Sequence, residues 1–285
     1  MGNGLWKQEA RASVEEPSQL EDERPRESIN TDQHAWALPT EDTYSYNQQR
    51  IDLELFGPHP RIVLFGRVGL HCYNLRKGTN LQLLKVLNCD ARMTSLISYS
   101  ITLEAMDPVG HSSCEVQVQL RYAIENIGCL SAITSRCILK PKTPEEDDKH
   151  FEFNKYLVDY FYRGDMPEWI TEDALTGRDK LQYYEINYSE LEEEKEWLDL
   201  YAELSLFSKW QANRDGLESA KPFEMKKIVV RTRENVESWK KVKAKNAIFY
   251  ISFKTRCGQD CNGIIRKTTD GMPGHFSLEV KCFLL

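Results

Sequence analysis

Between Ile97 and Tyr122 nearly every second residue is apolar. Ile97, Tyr99, Ile101, Leu103 and Ala105 fall on one side of an extended chain, and Cys114, Val116, Val118, Leu120 and Tyr122 repeat the pattern. Asp107-Pro108-Val109-Gly110 separates the two runs with residues that favour a turn. A period of two is strand geometry, so this stretch predicts adjacent antiparallel strands with one buried face. Leu81 to Cys89 and Cys129 to Leu139 add a strand on either side.

A different period precedes the strands. From Arg61 to Arg76, Phe65, Val68, Gly69 and Cys72 recur at three- and four-residue intervals, which is one stripe of a helix. Gly66 and Gly69 each weaken it by up to about 1 kcal/mol, while letting a sheet approach closely. Lys77-Gly78-Thr79 supplies a C-cap. Residues 49–142 therefore predict an α+β unit in which helix 61–76 packs on a curved antiparallel sheet.

Pro141 to Lys149 combines two prolines with Glu145, Glu146, Asp147 and Asp148, which is linker chemistry. A second α+β unit is expected over 150–285. Phe153, Tyr156, Leu157, Tyr160 and Phe161 have helical spacing, but Gly164 and Pro167 stop any helix early. Ser189 to Glu196 reads as a short charged helix with a capping box. Leu198 to Phe207, Phe223 to Thr232, Ala247 to Lys254 and His275 to Cys282 read as strands, and Asp260 and Gly263 as part of an exposed hairpin loop.

The first 48 residues differ from all of this. Over residues 1–50, ten acidic side chains face five basic ones, with Ser, Pro and Gln between them and no apolar period. Such a segment buries too little apolar surface to offset its ordering entropy, so it is expected to be a disordered acidic tail. A docking peptide around Trp36 and Leu38 is the alternative. The whole chain has 285 residues, 37 basic and 44 acidic, for a net charge of −7. That balance disfavours wholesale binding to nucleic acid through phosphates. No stretch is long and apolar enough to span a bilayer, and no secretory leader is evident. Gly2 has Trp6 where a myristoylation motif wants Ser or Thr. Eight cysteines without a leader fit free thiols in a reducing compartment, so a cytoplasmic or nuclear protein is expected, with Asn187-Tyr188-Ser189 unglycosylated.

Several words in the first half resemble plant cystatins. Phe65-Gly66-Arg67-Val68-Gly69-Leu70-His71-Cys72-Tyr73-Asn74 is similar to L-A-R-F-A-V-x-x-H-N, and Leu81 to Leu87 to L-E-F-x-x-V-V. Ile101 to Ala105 is similar to L-T-L-E-A, and Cys114 to Val118 to Y-E-A-K-V. From about Arg24 onward the chain also resembles a plant family of uncharacterised proteins with cystatin/monellin-like halves, one member of which is named for an embryo-defective phenotype. The words that carry this second resemblance include Gly78-Thr79-Asn80-Leu81, Tyr99 to Ala105, Pro167-Glu168-Trp169, Trp197 to Tyr201 and Ile248 to Lys254. It implies two cystatin-like units, no agreed activity, and a link to embryo development.

The cystatin resemblance points to one candidate site. The position of the inhibitory Q-x-V-x-G hairpin is occupied by Arg92, Met93, Thr94, Ser95 and Leu96, without the glycine that a tight, close-approaching turn requires. No Pro-Trp dipeptide occurs; Pro167-Glu168-Trp169 is the nearest. Cys257 and Cys261, with His275 and Cys282 downstream, are candidate zinc ligands by half of the usual spacing, against which Cys282 fits a core strand. His71 and Cys72 are neighbours on a helix, pointing about 100° apart, so they do not make a nucleophile–base pair. Glu192, Glu193 and Glu194 read as a solvated face. Lys240 to Lys245 is a basic run that suits a nuclear-import signal or, more simply, a solvated loop.

No phosphate loop, nucleophile elbow or metalloprotease helix is present. The expectation is therefore a non-enzymatic protein-interaction scaffold that needs no cofactor or metal, with an unidentified protein partner and no small-molecule substrate, nucleic acid or membrane. The alternative is an inhibitor of papain-like cysteine proteases.

Overall fold

Helix α1, Pro60–Lys77, begins and ends on local chemistry. Pro60 supplies a pre-set φ in the first turn, and the His59 ring accepts the Arg61 N–H at 3.1 Å. Gly78 closes the helix with φ 65°, and Arg76 and Lys77 complement the dipole of the last turn. A computed structural model describes residues 48–50, 59–93, 96–126, 128–139, 152–176, 182–188, 194–210, 214–234 and 236–285. The expected acidic tail, apart from Gln48, and the linker Pro141 to Lys149 lie outside these residues.

Strands β1 (Gln48–Arg50), β2 (Gln82–Met93), β3 (Ile97–Met106), β4 (Ser113–Asn126) and β5 (Cys129–Leu139) build the first half of the sheet. The alternating residues of β3 and β4 lie opposite one another, with Ile101 facing Val118 and Leu103 facing Val116, all four fully buried against α1. Gly69 is where the helix touches: a Cβ there would collide with the Val118 side chain. The second half holds β6 (Tyr183–Ile186), β7 (Glu224–Arg231), β8 (Ala247–Lys254), β9 (Asp260–Thr268) and β10 (Phe276–Leu284). Short helices α2 (Glu172–Thr176) and α4 (Arg214–Ser219) flank α3, Lys195–Trp210.

The expectation of two separate cystatin-like units is corrected by the strand order, β1-β2-β3-β4-β5-β10-β9-β8-β7-β6 in one antiparallel sheet. β5 pairs directly with β10, from Phe276 opposite Thr134 to Lys281 opposite Cys129. Pairing these strands satisfies backbone groups that two independent sheets would each leave at an edge. One apolar cluster runs through both halves, from Phe65, Ile101 and Leu103 to Tyr201, Phe249 and Leu278. α1 and α3 meet across it: Phe65 packs edge-on against Phe207 at 5.7 Å, and Arg67 reaches Glu203 at 2.5 Å.

Leu198 to Phe207, expected as a strand, lies within α3. Leu198, Leu200, Ala202, Leu204 and Leu206 imitate a period of two because this helix is buried nearly all round, Glu203, Ser205 and Ser208 included. Those polar groups are satisfied internally: Glu203 by Arg67 and by Lys221 at 2.6 Å, Ser205 by the Tyr201 carbonyl at 2.8 Å, and Ser208 by the Ser205 carbonyl at 2.6 Å. The expected exposed loop at Asp260 and Gly263 is instead β9. Gly263 is needed there because a Cβ would collide with Ser205 of α3.

The other face of the sheet is treated differently in its two halves. β3 buries alternate residues only, whereas β8 and β9 are buried on both sides. A cap formed by residues 152–176 makes the difference, with Val158, Tyr162, Trp169 and Ile170 packed over Val229, Ile248, Tyr250 and Ile264.

Candidate functional site

The start of the cap is a short irregular segment held by many hydrogen bonds. Asn154 donates its backbone N–H to Asp270 Oδ2 at 2.8 Å, and its side chain accepts from Tyr156 N at 3.0 Å. Asp159 accepts the Phe161 N–H at 2.9 Å and opens a single 3₁₀ turn, Tyr160–Tyr162. Arg163 folds back, its guanidinium donating to the carbonyls of Val158 and Tyr156, each at 2.6 Å. Beneath, the Tyr162 hydroxyl lies 3.1 Å from Thr232 Oγ1, and the Arg231 guanidinium sits 4.5 Å over the Phe161 ring. Asp270 also accepts from the His275 ring at 2.7 Å. Burial opposes its charge, but the bonds from His275, Asn154 and Met272 outweigh that and hold its carboxyl below the usual range.

This scaffold does not bury everything it carries. Val158 and Tyr162 are in the core and Phe161 is half-buried, whereas Tyr156, Leu157 and Tyr160 are 72%, 61% and 83% exposed. Three large apolar side chains within five residues thus face water on a segment that is tied down. Beside them runs a groove of about 920 Å³, walled by Phe153 and Tyr156 and floored by Ser131 of β5 and Ser277 and Glu279 of β10. The helical spacing of Phe153 to Phe161 in the sequence signalled apolar content there. It did not show that the set divides between core and solvent.

The residues singled out from the sequence are dispersed. Arg92 is exposed at the end of β2, paired with Gln48 of β1 on one side and Ser98 of β3 on the other. Met93 lies opposite Ile97 and Leu96 is half-buried, while Thr94 and Ser95 fall outside the described residues. Cys257 is exposed in the β8–β9 turn, its thiol held below the usual range by the Thr255 hydroxyl at 3.1 Å. Cys261 and Cys282 are core residues whose thiols burial pushes up to about 11 and about 12. His275 is committed to Asp270, and no group of three His, Cys, Asp or Glu side chains among the described residues is placed to hold a metal ion.

His71 and Cys72 point apart. The Cys72 thiol takes a contact from Thr134 Oγ1 at 3.3 Å and is pushed by burial up to about 12, while His71 faces Tyr201 at 3.1 Å. Of the glutamates expected to be solvated, Glu194 is buried and paired with Lys243 at 2.8 Å, and Glu192 and Glu193 lie outside the described residues, as do Trp36 and Leu38. The basic run forms a 3₁₀ turn, Ser238–Lys243, anchored by buried Val242 and Ala244, not an open loop. Trp169 of the Pro167-Glu168-Trp169 word packs edge-on against Tyr250 at 5.8 Å. No helix of the described residues is long and apolar enough to cross a membrane.

A ten-stranded antiparallel sheet carrying its two long helices on one face and an aromatic cap on the other defines the class. The family model described as Protein MS5 matches residues 166–278. The chain is 38% identical over 255 residues to the UPF0725 protein At4g29550 of Arabidopsis thaliana, covering 87% of this chain and 70% of that one. It is 40% identical over 219 residues to the UPF0725 protein At2g20620 of the same plant, covering 76% and 74%. The crystal structure of MS5 from Brassica napus superposes with a TM-score of 0.63 at 24% identity, over 80% of this chain and 99% of that one, and so shares its fold. The chain belongs to the plant UPF0725 family. The resemblance to an uncharacterised plant family holds at that level, with a single joined sheet in place of cystatin-like halves.

Proposed function

We propose that this chain is a non-catalytic protein-interaction module whose contact surface is the cap segment 152–163. The exposure of Tyr156, Leu157 and Tyr160 on a pinned backbone carries the reading. Aromatic side chains presented without ordering cost are the usual anchors of protein interfaces, and clustered exposed apolar groups mark such sites. Strand β2, already paired with β1 at Asp90 to Arg92, is less suited to a further partner strand than its length suggests. Its pairing with β3 carries two register shifts, near Leu83/Lys85 and Val86/Asn88, and it bears Lys85, features that blunt edges against strand addition.

The inhibitory alternative rests on the resemblance to cystatins, whose hairpin position, Arg92 to Leu96, lacks the glycine here, and the embryo-development link rests on resemblance alone. The test is a comparison of the full chain with a Tyr156→Ser, Leu157→Ser, Tyr160→Ser triple variant. Proteins cross-linked to the wild-type chain in plant extract are identified, and the tightest is purified and titrated against both forms. The reading expects at least about a hundredfold loss of affinity, as for removal of interface hot spots. Unchanged affinity in the triple variant overturns it, as does tight inhibition of papain by the wild-type chain.

A further inference from the structure

On the helical side of the sheet, away from the cap, a second concavity of about 660 Å³ opens between α1, the start of α3 and the β3–β4 turn. Its size is that of a small-molecule site. Leu70, Leu75, Leu81 and Leu200 supply apolar walls, and two aromatic rings stand among them: Trp197 and His71, stacked at 5.3 Å between centroids and 24° between planes.

The polar chemistry of these rings is incomplete. Tyr201 is fully buried, and the partner of its hydroxyl is His71 Nε2 at 3.1 Å. Because the Tyr201 hydroxyl has no other partner among the described residues, the arrangement that leaves no buried O–H unsatisfied has it donating to Nε2. The imidazole proton then sits on Nδ1. His71 is 6% exposed, and its Nδ1 has no hydrogen-bond partner among the described residues; neither does the indole N–H of Trp197. Neither nitrogen is sealed from solvent. Burial and the Lys267 charge hold His71 at about 3, so the ring stays neutral at physiological pH. By contrast the cations of the cleft are committed: Arg67 to Glu203, and Lys243 to Glu194. The two rings thus add a pair of neutral aromatic N–H donors to a cleft of mixed leucine and polar lining, in which Glu196 and Asp107 offer carboxylate oxygens, one of Asp107's already taking the Val109 N–H at 2.9 Å.

We propose that this cleft binds a planar carbonyl compound of two or three rings, lying against Trp197 with its carbonyl oxygen on the Nδ1–H of His71 and a hydroxyl toward Glu196 and Asp107. A carbonyl oxygen is the neutral acceptor that fills such donors without setting a further charge beside the buried rings. The inference is independent of the protein-binding role of the cap, which lies on the opposite face of the sheet.

The probe is 7-hydroxycoumarin, a planar bicyclic carbonyl compound with a hydroxyl at the far end, followed by its fluorescence anisotropy as the full chain is added at slightly acidic pH. Saturable binding with a Kd of about 100 μM or tighter is expected. 2-Naphthol, of the same ring size but without the carbonyl, should bind about tenfold more weakly, the loss of one hydrogen bond. His71→Phe keeps the ring and removes the donor, with the same tenfold loss. Should that variant not fold, Asn80→Trp decides: Asn80 is an exposed lining residue, and the indole would fill the mouth and abolish binding without touching the core. No saturation below about 1 mM, equal affinity for the two probes, or full binding by Asn80→Trp overturns the proposal.

Discussion

Lys267 is held in this core at a cost, and removing it should stabilise the protein. Its side chain is 1% exposed, on the same face of β9 as the aromatic residues of α3, with Nζ 5.3 Å from the Phe249 ring and 5.9 Å from that of Trp197. It makes no ion pair among the described residues. Burial lowers its pKa from 10.5 to about 8, against a partial restoring pull from Glu234. A lowered value means that the unfolded chain binds the proton more tightly, so stability rises with pH between about 8 and 10.5, and the full penalty applies below 8. At neutral pH that penalty is about 3 kcal/mol, from roughly 1.4 kcal/mol per unit. Lys267→Met keeps the apolar stem and removes the charge, and should raise the melting temperature by roughly 6–12 °C for a chain of this size. Calorimetry of both forms at pH 7 and again near pH 9.5 supplies the control. The advantage should shrink to about 1 kcal/mol at the higher pH, where the wild-type amine is itself mostly neutral. A variant less stable than the wild type at pH 7, or one whose advantage does not change with pH, would refute the reasoning.

His71 acts in the acid range. With its pKa lowered from 6.5 to about 3, the folded state refuses a proton that the unfolded chain accepts, so stability should fall as pH drops below 6.5, by about 2 kcal/mol at pH 5. Denaturant unfolding at several pH values should show that slope, and His71→Phe should flatten it; an equal slope in both forms would assign it elsewhere. Gly69→Ala should destabilise by about 1–3 kcal/mol despite the better helix propensity, because the new Cβ meets Val118. Adding Val118→Ala should restore the packing partner's room and recover part of the loss, and strictly additive losses in the double variant would count against a direct clash.

Much of the first half was legible because its pattern is simple. Only one face of β3 and β4 is buried, so Ile97 to Tyr122 alternate cleanly, and α1 carries its stop signal at Gly78. The second half hides its structure for the opposite reason. α3 is buried nearly all round and β9 on both faces, so helix and strand lose the polar side that reveals their period. β9 goes further, holding Arg266 and Lys267 in adjacent buried positions. Arg266 is satisfied by Glu279 at 2.5 Å and by the carbonyls of Asp165 and Gly164, partners more than a hundred residues away in the case of the cap. Nothing local announces such pairs. The candidate sites were less legible still: Tyr156 and Tyr160 look like their buried neighbours, and the open Nδ1 of His71 depends on Tyr201, 130 residues further on.

Lateral strand order was the feature least accessible to patterning, since alternation reports which face is buried and not which strand lies alongside. The join between β5 and β10 has a consequence that distinguishes one folding unit from two. Thr134 is fully buried there, its hydroxyl 3.1 Å from the Phe276 carbonyl across the join and 3.3 Å from Cys72 of α1. At the other end, Gly128 donates to the Ser208 carbonyl of α3 at 3.0 Å and accepts from Cys282 N at 2.8 Å. Leu278 of β10 lies opposite Ala132 of β5 and is fully buried in the shared core. Leu278→Ala should therefore cost about 2–5 kcal/mol, the usual range for emptying a leucine site. Because the core is common, the slowest-exchanging amides of β3 and β4 should lose as much protection as those of β7 and β8 when hydrogen exchange is followed in the intact chain. If exchange accelerated only in β7–β10 while β3 and β4 kept their protection, the two halves would unfold separately, and the continuous sheet would be a docking of two domains and not a single cooperative unit.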